Sequence, residues 1–199
     1  TGYIGKRVLP LLIQKGHHVV CCVRDKTRFT PPESLKDNIS IVEADLLNKE
    51  SLSSLPDDID VAYYLVHSMS SSENYKILEK KSAVNFRERI SQTDVKQVIY
   101  LSGIVNEENL SKHLLSRKAV ELELEKGDYN LTTFRAGIIV GSGSASFEII
   151  RDLIEKLPMM ITPKWLLTKC QPIGVSDVVK FLTEALLKKE VYTKQFHLV

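Results

Sequence analysis

The sequence predicts an α/β protein whose parallel sheet is doubly wound, with helices covering both faces. Three observations carry this. Short β-branched and aromatic runs alternate with longer amphipathic segments through most of the 199 residues, the pattern of strands joined by crossover helices. The runs at 18–23 and 61–66 are almost wholly apolar, as in strands covered on both sides. And the chain opens on Thr1-Gly2-Tyr3-Ile4-Gly5 running directly into an apolar helical segment, a glycine turn of the kind that brings backbone N–H groups and a helix N-terminus to a phosphate.

Taken in order, Ile4, Val8, Leu11 and Leu12 share one helical face over residues 4–15,. Pro10 removes one hydrogen bond there and predicts a kink rather than a break. Gly16 is a C-terminal stop. Residues 18–23 form the next strand, and 27–38, with Pro31-Pro32, a loop with a helical turn. Strands follow at 39–42 and 60–66, with a short helix at 49–55 between them. A long helix is expected over 73–92, its inner face marked by Tyr75, Leu78, Ser82, Phe86 and Ile90,. Then come a strand at 95–101, a helix at 110–126 closed by Gly127, a strand at 130–134, an apolar run at 138–140 and a Gly-Ser turn at 141–144. A helix at 147–157 precedes an irregular stretch at 159–169. Extended chain at 173–175 leads into a helix through Leu187 capped by Ser176 or Asp177, and a last strand begins at Gln195.

The composition narrows the function classes. The length suits one domain spanning 1–199, and 43% hydrophobic with 26% charged residues is that of an ordinary globular chain,. A net charge of +2 gives no basic stripe for nucleic acid. No run reaches the roughly 18 apolar residues of a membrane span. Three cysteines without a CxxC spacing read as buried reduced thiols in a cytoplasmic protein, with Cys21 and Cys22 on opposite faces of one strand. No metal site is expected.

Read as a dinucleotide site, the opening turn assigns Gly2 to backbone access and Gly5 to close packing of the helix on the sheet, with Thr1, Tyr3 and Ile4 completing the phosphate-binding turn. A strand and a first glycine should precede such a turn. The chain begins at Thr1, so it reads as clipped inside its first motif, and the strand at 195–199 reads as clipped at the other end.

Seven segments in order and spacing carry a resemblance: Gly2-Tyr3-Ile4-Gly5, Gly16-His17, Cys22-Val23-Arg24-Asp25, Glu43-Ala44-Asp45-Leu46, Val98-Ile99-Tyr100-Leu101-Ser102, Phe134-Arg135-Ala136-Gly137 and Pro172-Ile173-Gly174-Val175-Ser176-Asp177-Val178. Together they resemble the extended and atypical short-chain dehydrogenase/reductases, nearest to a nucleoside-diphosphate-sugar epimerase (NmrA-like) subgroup. The resemblance implies a Rossmann-type sheet of order 3-2-1-4-5-6-7 whose strand 1 is the one missing here. It also implies an NAD(P)-dependent oxidoreductase or epimerase acting on a small substrate, with a homodimer as an expectation.

The acidic residue that takes ribose hydroxyls in NAD-preferring relatives is replaced here by Val23, followed at once by Arg24. Arg24 can meet a 2′-phosphate bidentately, so NADP is the expected cofactor and NAD the alternative. The resemblance places Asp45 on the adenine amino group and Leu46 against the ring; Asp45 can equally cap the following turn. Leu65, Val66 and His67 end a strand and should line the nicotinamide side, with His67 a proton donor or a hydrogen-bonded structural residue. Gly137 is expected to pass the carboxamide. Ser142, Ser144, Phe147, Lys164, Trp165 and Gln171 are candidates for a substrate pocket within 141–175, Trp165 equally a core anchor.

The family's usual Tyr-x-x-x-Lys pair falls on His113 and Arg117, with Ser102 at the catalytic Ser/Thr position. Three readings stay open. His113 serves as the acid/base, its ordinary pKa suiting the task; Arg117 keeps only the binding part of the lysine's role; or the site binds dinucleotide without turnover, as a sensor or regulatory module.

Overall fold

The structure, a computed structural model, describes residues 1–67, 74–104, 112–156 and 170–198; the side chains of Lys112, His113 and Ser146 lie outside this description. Its helices are α1 (Gly5–Gln14), α2 (Tyr75–Ile90), α3 (Lys112–Leu124), α4 (Ala145–Lys156) and α5 (Val175–Glu184). Its strands are β1 (Val19–Val23), β2 (Ile39–Glu43), β3 (Val61–Tyr64), β4 (Gln97–Gly103), β5 (Asn130–Ala136), β6 (Ile138–Val140), β7 (Pro172–Gly174) and β8 (Lys194–Leu198).

Every pairing among the described strands is parallel. β2 pairs with β1, the order β3-β4-β5-β8 forms the main sheet, and β6 pairs with β7. Two apolar layers sandwich the main sheet. Alternation along β4 sends Ile99 and Leu101 towards Val8, Leu12, Val178 and Leu182 of α1 and α5, and Val98 and Tyr100 towards Phe86, Ile90, Val120 and Leu124 of α2 and α3,. The expected three-layer α/β architecture is therefore present. Among the described residues no strand lies between β1 and β3, where the resemblance puts strand 1.

Several expectations of burial are not met. β1 is half-buried rather than covered on both faces. Cys21 is half-buried and Cys22 and Cys170 are exposed, though all three are free as expected. Gly5 is not in close contact with the sheet: a Cβ there would meet nothing within 4 Å, because no neighbouring strand lies beneath it.

The helix signals fared unevenly. α1 runs unbroken through Pro10 and ends in a Schellman turn. Gly16 at φ +85° donates its N–H to Ile13 O, and His17 donates to Leu12 O,. On α2, Tyr75, Ser82, Phe86 and Ile90 are buried as predicted, but Leu78 is 36% exposed. The inward position at that turn belongs to Glu79, which accepts a hydrogen bond from the Ser116 hydroxyl of α3. α5 is not capped by Ser176 or Asp177: Gly174 is its N-cap and no side chain bonds there. Residues 159–169, including Lys164 and Trp165, lie outside the described residues. Among the described residues no helix is long and apolar enough to cross a membrane.

Candidate functional site

At the glycine turn, α1 begins at Gly5 with Ile4 as N-cap and no side-chain cap. The N–H groups of Gly2, Tyr3, Ile4 and Gly5 donate to no described backbone group, the first backbone donor being Lys6 to Gly2 O. A Cβ on Gly2 or Gly5 would point into open space. Free donors, an unobstructed approach and a helix N-terminus fit a pyrophosphate. Arg7, one helical turn on, stacks its guanidinium 3.8 Å above the Tyr3 ring centroid,. It donates to Tyr3 O at 3.1 Å and to Ser142 O at 2.6 Å, and Tyr3 Oη donates to the same Ser142 oxygen at 3.2 Å. The clamp ties the glycine turn to the 141–144 turn. Gly141 is needed beneath it, since a Cβ there would strike Val175 and stand 2.9 Å from Tyr3 Oη.

β1 ends on Val23, buried with Leu9 and Phe29 and without a polar atom to offer a ribose. Arg24 beside it is exposed, and no ion pair holds it among the described residues. Asp25 turns away, its Oδ1 accepting from Thr27 N at 2.9 Å and Thr27 Oγ1 at 2.6 Å. Glu43 accepts from Lys26 N at 3.0 Å. Past β2, Asp45 Oδ1 caps the turn by accepting from Leu47 N at 2.9 Å, and its own N–H donates to Ser51 Oγ at 2.9 Å. Asn85 of α2 donates to Leu46 O at 2.7 Å, fixing that segment's height over the sheet.

The third part lies where β3 and β4 end beneath α3. Val66 is 50% exposed and Leu65 is half-buried, which leaves an apolar ledge. His67 Nε2 lies 3.2 Å from Arg117 Nη1. Burial, then the Arg117 charge, lower its pKa from 6.5 to about 4, against the smaller raising effect of a bond to the Leu101 backbone,. His67 is therefore neutral at pH 7, with Nε2 accepting from Arg117 and the ring proton directed to Leu101. Of the two roles open to His67, the hydrogen-bonded one fits. Arg117 passes over Gly103, its Cδ and Nε 3.4 and 3.8 Å from where a Cβ would stand. Its backbone carbonyl accepts from Tyr100 Oη at 3.3 Å. Burial pushes the Tyr100 phenol up to about 12, against a smaller lowering influence of the Ser102 hydroxyl. Ser102 itself is 2% exposed, and its Oγ makes no hydrogen bond of good geometry. His113 stands one helical turn before Arg117 on α3; its side chain lies outside the described residues.

The second and third parts lie at the ends of parallel strands, the place where open α/β sheets hold ligands, and the first lies at the start of α1. A family model described as NAD(P)H-binding matches residues 1–136, which span the glycine turn, Arg24, Asp45, His67, Ser102 and Arg117. The chain belongs to the NAD(P)H-binding family.

Solved structures similar to this NAD(P)H-binding chain share its fold. UDP-glucuronic acid 4-epimerase from Bacillus cereus, in complex with UDP-glucuronic acid and NAD, is 19% identical with a TM-score of 0.74, covering 98% of this chain and 74% of that one. The Bordetella bronchiseptica enzyme WbmG, in complex with NAD, is 13% identical with a TM-score of 0.76, covering 99% and 69%. A nucleoside-diphosphate-sugar epimerase from Staphylococcus aureus is 16% identical with a TM-score of 0.76, covering 100% and 68%. No curated protein matches the chain. The expected NAD(P)-binding family and Rossmann-type fold are borne out.

Around this candidate site stand residues that sequence reasoning did not single out. Arg7 is one; its i, i+4 spacing from Tyr3 was the available signal. Glu121 of α3, 2% exposed, accepts from Arg135 Nη2 at 2.7 Å and Nε at 3.3 Å. Arg135 Nη1 also lies 3.3 Å from His197 Nε2. This pair bolts α3, and hence Arg117, to β5. Gly137 is required by the chain's own path, since a Cβ there would collide with the Gln171 carbonyl oxygen. Of the pocket candidates, Ser144 is buried and caps α4 through Phe147 N at 3.2 Å, and Gln171 is exposed. Among the described residues, no group of His, Cys, Asp and Glu could hold a metal ion.

Proposed function

We propose that this protein is an NAD(P)-dependent oxidoreductase or epimerase-like enzyme of the atypical short-chain type, acting on a small substrate and preferring NADP. The observation that carries the reading is the group of side chains at the ends of β3 and β4 beneath α3. There Arg117 of α3 lies against neutral His67, and β4 carries the buried Ser102 one residue before its end. Bound NAD(P) would supply the hydride acceptor or donor. The free N–H groups of the Gly2–Gly5 turn receive the pyrophosphate, Arg24 the 2′-phosphate, and Asp45 with Leu46 the adenine. Leu65, Val66 and Gly137 flank the nicotinamide. Ser102 donates to the substrate oxygen, and the fixed charge of Arg117 steadies that oxygen or the ribose. With His67 committed, His113 is the remaining proton carrier at the family's tyrosine position. Two of the similar structures hold UDP-sugars with NAD, which supports sugar nucleotides as the first substrates to test.

A second reading is favoured by one observation: arginine at the lysine position cannot be deprotonated. On it, the protein binds NADP as a sensor or regulatory module and turns nothing over. Absorbance at the nicotinamide band, with sugar nucleotides and aldehydes as substrates and wild type set against His113→Ala, separates the two. Turnover abolished by His113→Ala supports the enzyme. Tight NADPH binding with no hydride transfer to any substrate supports the sensor, and no dinucleotide binding refutes both.

A further inference from the structure

We infer that Arg7 is a positioning residue: acting through Tyr3, it fixes the 141–148 segment and the start of α4 against the glycine turn, so that filling the turn steadies α4. Arg7 holds Tyr3 at two points. Its guanidinium lies 3.8 Å above the ring centroid, and Nη1 donates to the Tyr3 carbonyl at 3.1 Å. Nη2 reaches across to Ser142 O at 2.6 Å. That oxygen also accepts from Tyr3 Oη at 3.2 Å, which uses both of its lone pairs. One rigid, planar group thus stacks on Tyr3 and bonds two backbone carbonyls far apart in the chain.

On the far side, Ser142 sits in the turn that opens α4. Ser144 N donates to Gly141 O at 2.9 Å, closing the turn around Ser142 and Gly143. Gly143 N donates to Glu148 Oε1 at 3.0 Å, and Phe147 N to Ser144 Oγ at 3.2 Å, so the same turn caps α4. Beyond that cap α4 touches β6, but none of its described side chains is buried. Ile149 and Ile154 are 60% and 67% exposed. A helix with so little buried apolar surface opens at low free energy, and the bonds at its cap weigh heavily in its order.

Tyr3 is where the two sides meet. Its N–H belongs to the turn that receives an anion and donates to no described backbone group. Its carbonyl, ring and hydroxyl are held by Arg7 and Ser142. An anion drawn to the turn fixes the Tyr3 backbone, and a fixed Tyr3 holds Ser142 and the cap of α4 in place. By linkage, an ordered α4 strengthens the turn's hold on the anion by the same factor. That the anion is a dinucleotide pyrophosphate, and that 141–175 faces the substrate, rest on the proposed function; the contacts do not.

The test is hydrogen–deuterium exchange of the whole chain, read by mass spectrometry, with and without saturating NADP or inorganic pyrophosphate. In the wild type either ligand should slow exchange across residues 145–156 about threefold or more. In Arg7→Ala, exchange there should speed up about tenfold without ligand, and ligand raised to saturate the variant should no longer slow it. Arg7→Lys keeps a charge but offers a single amino group, so it should lose most of the effect. Residues 178–184, in the core, should exchange alike in the three unliganded proteins, which separates lost positioning from general unfolding. Unchanged exchange across 145–156 in the ligand-bound wild type overturns the inference, as does a full ligand effect in Arg7→Ala. If Arg7→Ala folds poorly, Arg7→Lys decides, and an effect there as large as in the wild type overturns the inference. Slowing by pyrophosphate in a protein that does not bind NADP would refute the proposed function and keep the positioning role; binding of neither ligand overturns both.

Discussion

The neutrality of His67 is open to a direct measurement. Its folded-state pKa of about 4 stands below the ordinary 6.5. Between those values the unfolded chain binds a proton that the folded chain does not. Stability from His67 is therefore fully present above pH 6.5 and is lost as pH falls through about 4,. At about 1.4 kcal/mol per pKa unit, the interval is worth roughly 3 kcal/mol. Carboxylates titrate in the same window, so the measurement is a difference. Urea denaturation of wild type and His67→Asn is followed from pH 7 down to 4; the asparagine keeps an acceptor for Arg117 but has no proton to gain. Wild type should lose roughly 3 kcal/mol more than the variant across that range. Histidine NMR supplies the second readout: the His67 ring should titrate near the bottom of the range, with its proton on the nitrogen facing Leu101. In Arg117→Gln the pKa should rise but stay below 6.5, because burial, the larger cause, remains. A ring titrating near 6.5 in the wild type, or parallel pH dependences for the two proteins, would refute the reasoning and return His67 to the pool of proton donors.

Arg24→Ala should weaken NADPH about tenfold, the loss of one exposed charge-assisted contact worth about 1.4 kcal/mol, and leave NADH nearly unchanged; equal losses in paired fluorescence titrations would sink the 2′-phosphate role. Glu121→Ala strands Arg135 in a largely buried position and should cost about 3–5 kcal/mol in urea denaturation, whereas a loss under about 1 kcal/mol would mean the pair is effectively solvated. Gly137→Ala drives a methyl into the Gln171 carbonyl and should destabilise the β6–β7 region by about 1–3 kcal/mol, read as a lowered Tm; an unchanged Tm would show that the crossing is looser than described.

Much of the fold was legible from local patterns. Alternation of apolar runs announced a parallel sheet with two helical layers, and the structure divides Ile99 and Leu101 from Val98 and Tyr100 between those layers. Gly16 announced its own Schellman turn. Local patterns failed where a neighbour distant in sequence decided the outcome. Leu78 has the right spacing and hydrophobicity for the core, yet Glu79 faces inward because Ser116 is there to donate to it. Gly5 and the two adjacent cysteines look buried in sequence; their burial depends on what lies on the side of β1 away from β2, and no described strand does.

The site divides along the same line. By itself the sequence determined the residue types and their order along the chain: a glycine turn, Val23 then Arg24, Asp45, and His113 and Arg117 where the resembling family has tyrosine and lysine. These are matters of composition and spacing, which any chain carries before it folds. Only the tertiary structure decided what His67 and Arg117 are to each other, since they lie fifty residues apart and meet through the parallel pairing of β3 with β4 and the packing of α3 above them. The same holds for Arg7, which reaches Ser142 across 135 residues. A histidine's proton and an arginine's partners are set by burial and by the groups within hydrogen-bond reach, and those distances exist only once the strands are in register.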